Sequence, residues 1–388
     1  SSGSGYDFGS VKGKSMVFIK GGDVNHSVYG GGSGVESVKR NGVFIDFPDM
    51  AHVEKTEVHI YGKMYKFRNG LGLIERTLIF GRVYGGGDLA NVGSKKADAA
   101  VFTRDNYLSP TNRTTLVNIR GGSLMSQVFA GGRGRVVTEC ADSKSLGGVY
   151  GNSCLILDRP VMHYPYWDDT TKEYLSQSDD ANMVHPDVDN DTYPALMEDF
   201  FGGCQNGTVY GNTLLTIYDG WLGKSAKARK FKVNHNIYGG GKIASVVGNN
   251  SYITMTKGLL YNSTEMVAGR DTGKNFFESI EWKEIYEKIG TPQFSVFGGG
   301  FGENAIVMGD TYVNVEMEGR GSILEGIDIV KGEEYKHFFN GYSVMDIIGG
   351  GYSGKVFGDT HIVGSGGVFC RRVFGGGTYS SVNSTDVE

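Results

Sequence analysis

Four acidic residues in one segment have the spacing of oxygen ligands for Ca²⁺. Asp187, Asp189 and Asp191 alternate along the chain, and Glu198 stands at position 12 counted from Asp187. These positions carry ligands in an EF-hand loop, which also requires glycine at position 6. Thr192 occupies position 6 here. We therefore expect either a Ca²⁺ site of another type or a solvated acidic loop.

Two further acids, Asp310 and Asp359, each follow a glycine at equivalent points of a repeat. A pair of carboxylates can act as acid and base on a glycosidic bond. Asn or Asp at such a point also forms turns in which the side chain bonds to nearby backbone. The turn is favoured because earlier copies carry amides at the same point, namely Asn152, Asn212 and Asn249.

Exposed aromatic side chains could bind sugars, because a large apolar ring face with a polar edge suits a pyranose. Tyr164, Tyr166 and Trp167 lie in a long insertion that spans residues 159–199, and Trp221 stands between two glycines. Packing against the body of the protein is the alternative use of the same rings. The sequence therefore offers these four residues as ligand-binding candidates.

The glycine-rich motif Val-Tyr-Gly-Gly-Gly recurs along the chain. Glycine makes up 62 of the 388 residues, about twice the usual share. The eight copies, some with a substituted glycine, begin at Val28, Val83, Val128, Phe200, Ile237, Val296, Ile347 and Val373. The closest two copies are 26 residues apart. This periodicity indicates a repeat architecture.

Two other features follow the better copies. The first is an apolar residue followed by Gly-Asn or Gly-Asp, as in the segments that end at Asn212 and Asp359. The second is an alternating segment such as Val313–Met317, which is typical of a half-buried strand. One unit therefore reads as three short strands joined by three turns.

These units predict an all-β fold, a right-handed three-sided parallel β-helix. We expect residues 1–15 to be a linker and residues 16–388 to form one β-helix domain, with insertions along one edge. The motif glycines are expected to adopt positive φ at the corners. A short amphipathic helix is predicted near 275–289, where Trp282, Ile285, Tyr286 and Ile289 share one face.

Composition excludes several classes of protein. The net charge of −5 argues against a nucleic-acid binder, which would carry a basic excess. No apolar run is long enough for a transmembrane helix. The cysteines form no CxxC pair and no disulfide framework, and their pairing stays open; they are Cys140, Cys154, Cys204 and Cys370.

The motif, followed by Val-x-Gly-Asn-Thr and an alternating strand, resembles the glycine-rich β-helix repeats of large bacterial cell-surface proteins of the adhesin-like kind. The resemblance covers the chain from about Val28 to Gly377. It implies a bacterial protein exported to the cell surface or the extracellular space. The long insertions depart from the simplest members of that group.

Three functions remain open at this level. The first is a non-catalytic surface β-helix that binds glycans or host ligands through loops on one edge. The second is a polysaccharide lyase or glycoside hydrolase that would use carboxylates such as Asp310 and Asp359, with or without Ca²⁺. The third is a structural spacer or spike segment. The oligomeric state is not indicated by the sequence.

Overall fold

A computed structural model gives the fold of the chain. The structure describes residues 9–36, 38–45, 47, 49–68, 71–94, 113–135, 146–158, 161–162, 166–168, 173–175, 195–196, 198–222, 236–260, 295–316, 339–340, 343–365, 369–379, 382 and 385–387. Within these residues every regular element is a strand, so the all-β class is confirmed. The helix predicted near 275–289 lies outside the described residues.

Thirty-two strands are described. They are β1 Val11–Ile19, β2 Gly22–Val24, β3 Val28–Tyr29, β4 Val38–Arg40, β5 Val43–Ile45, β6 Val53–Ile60, β7 Lys63–Arg68, β8 Leu71–Ile79, β9 Val83–Tyr84, β10 Thr115–Ile119, β11 Ser123–Leu124, β12 Val128–Phe129, β13 Ser153–Asp158, β14 Val161–Met162, β15 Tyr166–Asp168, β16 Glu173–Leu175, β17 Ala195–Leu196, β18 Phe200–Phe201, β19 Thr208–Val209, β20 Thr213–Leu222, β21 Ile237–Tyr238, β22 Val246–Val247, β23 Ser251–Leu260, β24 Val296–Phe297, β25 Ile306–Val307, β26 Thr311–Glu316, β27 Phe339–Asn340, β28 Ser343–Ile348, β29 Lys355–Val356, β30 Thr360–Ser365, β31 Phe369–Phe374 and β32 Thr385–Val387.

The longest strands of successive coils form one parallel sheet, the long-strand sheet. Its order is β1-β6-β10-β13-β20-β23-β26-β30-β32. Alternate residues of each strand face the interior, as Val117, Leu155 and Leu215 do in neighbouring coils. β1 begins at Val11, inside the segment expected to be a linker, and its Val17 pairs with Val58.

All eight glycine-rich motifs lie in a second parallel sheet, the motif sheet, in chain order β3-β9-β12-β18-β21-β24-β28-β31. The first apolar residue of each motif is in register with its counterparts, as Val28 is with Val83 and Val83 with Val128. The parallel stacking predicted from the repeat is therefore confirmed. The long parallel sheets are consistent with a β-solenoid.

The motif glycines are required by close approach between coils, and the expected positive φ is wrong for them. None of the glycines in the eight motifs has positive φ. A Cβ on Gly86 would lie 2.7 Å from the Gly132 nitrogen, because the backbone of the next coil passes directly beside it. The Gly86 N–H donates to the Gly131 carbonyl over 3.1 Å. Glycine leaves room for this coil-to-coil hydrogen bond.

A buried hydroxyl connects the two sheets across the interior. The side chain that begins a long strand donates to the carbonyl of the residue at the first glycine position of the motif in the same coil. Thr115 donates to Ala130 over 2.7 Å, and Thr311 donates to Gly349 over 2.6 Å. Thr56, Ser153, Ser251 and Thr360 make the corresponding bonds. The hydroxyl therefore satisfies a polar group that would otherwise be costly to bury.

The aromatic residue of the motif forms a ladder on the outer side of the motif sheet. Its rings lie nearly parallel, with centroids 4.8 to 5.1 Å apart. The ladder comprises Tyr29, Tyr84, Phe129, Phe201, Tyr238 and Phe297, and Ile348 packs at its end. These spacings match the rise of about 4.8 Å between strands, so like residues in successive coils stack.

The third strand of the repeat forms the short-strand sheet, β19-β22-β25-β29. Val209, Val247, Val307 and Val356 are in register along it and are buried. Isolated bridges extend the same column backwards to Val149 and Val92. This short sheet positions the turn that the sequence identified by its Gly-Asn or Gly-Asp pair.

Three hairpins of consecutive strands are described. β4 pairs antiparallel with β5, β7 with β8, and β15 with β16. The third hairpin belongs to the insertion predicted at 159–199. No helix of the described residues has the length and hydropathy to cross a membrane.

The closeness of the coils predicts that alanine is costly at the second glycine of one motif and tolerated at the second glycine of another. A Cβ on Gly299 would lie 2.8 Å from the Gly351 nitrogen, whereas a Cβ on Gly376 would meet nothing within 4 Å. We expect Gly299→Ala to destabilise by about 1–3 kcal/mol through overpacking. Gly376→Ala is the matched control and should stay within about 0.5 kcal/mol. Urea unfolding followed by circular dichroism measures both, and equal losses would contradict the close-approach explanation.

Candidate functional site

The Asn/Asp residues predicted as a column do stack, with one correction. Each side-chain oxygen accepts the backbone N–H of the column residue in the next coil: Asn152 from Asn212 over 2.8 Å and Asn212 from Asn250 over 3.0 Å. The third member is Asn250, and the predicted Asn249 is wrong. The register runs from Val209↔Val247 to Thr213↔Ser251, so Asn249 aligns with Gly211 instead.

The acids proposed as a catalytic pair continue this column. Asn250 Oδ1 accepts the Asp310 N–H and Asp310 Oδ1 accepts the Asp359 N–H, each over 2.9 Å. Asp310 Oδ2 also accepts the Tyr312 hydroxyl over 3.1 Å. Burial, with Asp310 adding negative charge, raises the pKa of Tyr312 to about 12. Both oxygens of Asp310 are thus engaged, Oδ1 with the next coil and Oδ2 within its own coil.

The predicted Ca²⁺ ligands lie largely outside the described residues. Asp187, Asp189 and Asp191 belong to that part, whereas Glu198 is described and accepts the Ser126 hydroxyl over 3.5 Å. No group of three or more His, Cys, Asp or Glu side chains that could hold a metal occurs where the structure describes the chain. The Ca²⁺ site stays a prediction.

Three of the four predicted sugar-binding aromatics lie in described strands. Tyr166 and Trp167 are in β15, which pairs with β16, and Tyr164 lies outside the described residues. Trp221 in β20 pairs with Val161 in β14, at the start of the insertion. Their role in binding is not tested by this arrangement.

A charged cluster that the sequence did not predict lies beside the aromatic ladder. Asp199 directly precedes the motif residue Phe200, and its Oδ1 accepts the Asn236 N–H over 2.7 Å. Lys242 follows the next motif, and its Nζ donates to Gln127 Oε1 over 3.1 Å. The Lys242 ammonium also lies 5.9 Å from the Phe201 ring centroid and 5.8 Å from that of Phe301.

Burial disfavours the charged forms of both Asp199 and Lys242. It raises the pKa of Asp199 to about 6, and Glu198 contributes in the same direction while the Asn236 N–H and Lys242 oppose it. Burial also lowers the pKa of Lys242, helped by the like charge of Arg82. An acid and an amine with converging pKa values are suited to proton transfer. The same groups also tie adjacent coils together.

A column of residues runs along the outer side of the short-strand sheet, at the position after each buried valine. We call it the corner column: Gly93, Tyr150, Tyr210, Gly248, Met308 and Phe357. Tyr210 is 40% exposed, Met308 50% and Phe357 57%. Tyr150 and Tyr210 stack with their centroids 4.5 Å apart. Apolar groups aligned in this way on a surface are typical of binding sites.

Sequence reasoning missed the corner column although the motif contains it. The residues precede Gly151, Gly211, Gly309 and Gly358, so they were counted only as apolar neighbours of a turn. Their common outward direction depends on strand register, in which adjacent residues face opposite sides. Counting from the buried valines would have identified them.

Comparisons with known proteins give no relative. A scan against protein families finds no match, and searches of curated proteins and of solved structures find none.

The role of Asp310 can be tested by replacing it in two ways. Asp310→Asn should keep nearly full stability, because Asn250 in the preceding coil supports the same backbone contact and its amide donates to Tyr252 over 3.0 Å. Asp310→Ala should cost about 1–3 kcal/mol, since the Asp359 N–H loses its acceptor. Chemical denaturation compares the two variants. Equal destabilisation by Asp310→Asn and Asp310→Ala would contradict the role of the Asp310 side-chain oxygen as the acceptor of the Asp359 N–H.

Asp199 should make stability depend on pH. Its pKa of about 6 lies above the ordinary value, so the folded state retains a proton that the unfolded state releases. The resulting stability is present at low pH and is lost as pH rises from about 4 to about 6. Asp199→Asn keeps the acceptor without the charge. Its stability relative to wild type should therefore increase by about 2 kcal/mol between pH 4 and pH 7.

Thermal unfolding of the wild type and of Asp199→Asn between pH 4 and pH 7 measures their difference in stability. The titration of the other carboxylates is common to both proteins and cancels in that difference. A difference that falls with rising pH would show that the Asp199 carboxylate is net stabilising.

Proposed function

We propose that the protein is a non-catalytic, adhesin-like β-helix of a bacterial cell surface or extracellular space that binds glycans or host ligands. We further propose that the coils wind right-handed around three sides, in keeping with the strong preference of parallel crossover connections. The three strand positions of each coil support the second proposal. The motif sequence and its resemblance to surface repeats support the location.

The corner column is the observation that carries the binding function. Tyr210, Met308 and Phe357 of the column are exposed, whereas the ladder beside the motif sheet is buried. Exposure of aligned apolar groups costs solvation free energy that burial would recover, so a ligand that covers them gains affinity. Exposed Asn249 lies in the same turn and supplies a polar group. An apolar surface beside an amide suits the mixed character of a sugar.

Asp310 supports the absence of catalysis at the predicted acid pair. A general acid or base must exchange a proton with substrate. Both Asp310 oxygens accept hydrogen bonds from the protein itself. The carboxylate is therefore better suited to a structural role.

Binding and turnover of the same protein test the proposal together. The chain is applied to a glycan array and to soluble polysaccharides, with Ca²⁺ and with EDTA. We expect binding without new reducing ends or unsaturated products. Binding should fall about tenfold in Tyr210→Ala if the corner column is used, or in the Tyr166→Ala/Trp167→Ala pair if the hairpin is used. Failure to bind any glycan or host surface would favour a structural spacer instead.

A polysaccharide-cleaving enzyme is the second candidate, and the Asp199–Lys242 cluster favours it. The raised pKa of Asp199 and the lowered pKa of Lys242 bring an acid and a base toward neutral pH. Turnover in the same assay, lost in Lys242→Met but retained in Lys355→Met, would support this function. Lys355 is an exposed lysine of β29 and serves as the control.

A further inference from the structure

An amine and a carboxamide are in direct contact beside the aromatic ladder. Gln127, Asp199 and Asn236 directly precede the motifs of three successive coils, so they occupy one column. Lys242 follows the third of these motifs, and its side chain extends back to the first coil. Its Nζ donates to Gln127 Oε1 over 3.1 Å. The coil of Asp199 lies between the two residues that make this contact.

The contact brings a nucleophile close to an electrophilic carbon. A carbonyl bond is about 1.2 Å long, so Lys242 Nζ lies within about 4.3 Å of Gln127 Cδ. Groups poised to react are about 3–3.5 Å apart, so a movement of about 1 Å is needed. The flexible four-carbon stem of lysine permits such a movement.

The surroundings of the contact favour attack by the amine. Burial lowers the pKa of Lys242, and the like charge of Arg82 adds to this effect. The neutral form of an amine is the nucleophile. Arg82 precedes the motif of the coil before Gln127, on the side opposite to Asp199. Its positive charge favours the negative oxygen that forms when an amide carbon is attacked. Gln127 is 7% exposed, so little water competes for that carbon.

Asp199 is suited to carry a proton between the two groups. Its Oδ1 accepts the Asn236 N–H over 2.7 Å, and its Oδ2 has no hydrogen bond within the described part of the chain. Burial raises the pKa of Asp199 to about 6. The carboxylate therefore takes up a proton more readily than an ordinary aspartate does.

We propose that Lys242 and Gln127 become joined by an isopeptide bond, an amide between their side chains, with release of ammonia. Asp199 removes a proton from the Lys242 ammonium, and the resulting amine attacks Gln127 Cδ. The bond from Cδ to the original amide nitrogen then breaks, and that nitrogen takes the proton from Asp199. The attacking nitrogen loses its second proton to the released ammonia, which leaves as ammonium. One C–N bond forms for the one that breaks, and no oxidant is needed.

The bond would change both the topology and the chemistry of the cluster. It would join residues that are 115 positions apart in the chain and so close a covalent loop. Such a loop restricts the unfolded chain, as a disulfide does. An acylated lysine has no titratable amine, so the bond excludes the second candidate function of this cluster. It is independent of glycan binding.

Mass spectrometry of the wild-type chain tests the proposal. We expect its intact mass to fall short of the mass of the sequence by one ammonia. Trypsin should not cleave after Lys242, and tandem mass spectrometry should find residues 121–133 joined to residues 233–257. Lys242→Met and Gln127→Ala should each have the full mass of their sequence. Lys355→Met replaces an exposed lysine of β29 and should keep the deficit.

A further variant tests the role of Asp199. Asp199→Asn keeps an acceptor for the Asn236 N–H but cannot carry the proton. Its isopeptide bond should form at least about 100-fold more slowly than that of the wild type, when mass is followed from the start of cell-free synthesis. Circular dichroism establishes that each variant is folded. A full wild-type mass, or a deficit that persists in Lys242→Met, overturns the bond. Equal rates in Asp199→Asn and wild type overturn the proton transfer by Asp199.

Discussion

The structure depends on the direct backbone contact between successive coils at the glycine-rich motif. The N–H of one motif donates to the carbonyl of the next, as between Gly240 and Gly299 over 3.1 Å. A Cβ on Gly240 would lie 2.9 Å from the backbone nitrogen of Gly300. Because the chain comes this close at the seven contacts between the eight motifs, the motif sets the register of the coils. The strands on either side then meet their counterparts without offset.

Exact register places equivalent side chains on top of one another, and each column does a different task. The inward hydroxyls join the long-strand sheet to the motif sheet, as Thr115 does. The amides and carboxylates of the turn accept the N–H of the next coil, as Asn152 does. Aromatic rings stack on the outer side of the motif sheet, as Tyr84 and Phe129 do. A polar residue in such a column is already occupied by its neighbours, which explains why Asp310 is poorly placed for acid–base chemistry.

Binding or catalytic groups are more readily placed where a column lacks a side chain or where one of its residues differs in charge from its neighbours. At Gly248, as at Gly93, the corner column has no side chain. At Asp199 the column carries a carboxylate in a place where the next coil has Asn236, and burial raises its pKa. The uncharged amide performs the same backbone contact without that cost. A charge retained at such a point makes the site responsive to pH, whatever its ligand.

The sequence by itself determined the repeat, the all-β class and the parallel stacking of the eight motifs. Each of these follows from local patterns: glycine runs at intervals, alternating apolar residues and Gly-Asn or Gly-Asp turns. Only the tertiary structure decided why glycine is needed at the motif, since the reason is the backbone of another coil and not the conformation of the residue itself.

The tertiary structure also decided that Asn250 and not Asn249 belongs to the column. Gly248-Asn249 has the same residue types as Gly211-Asn212. Because Val247 pairs with Val209, however, Asn249 stands beside Gly211, one residue before the column. The corner column and the pairing of Asp199 with the coil of Lys242 arise only when residues about 40 apart become neighbours, which no local pattern records.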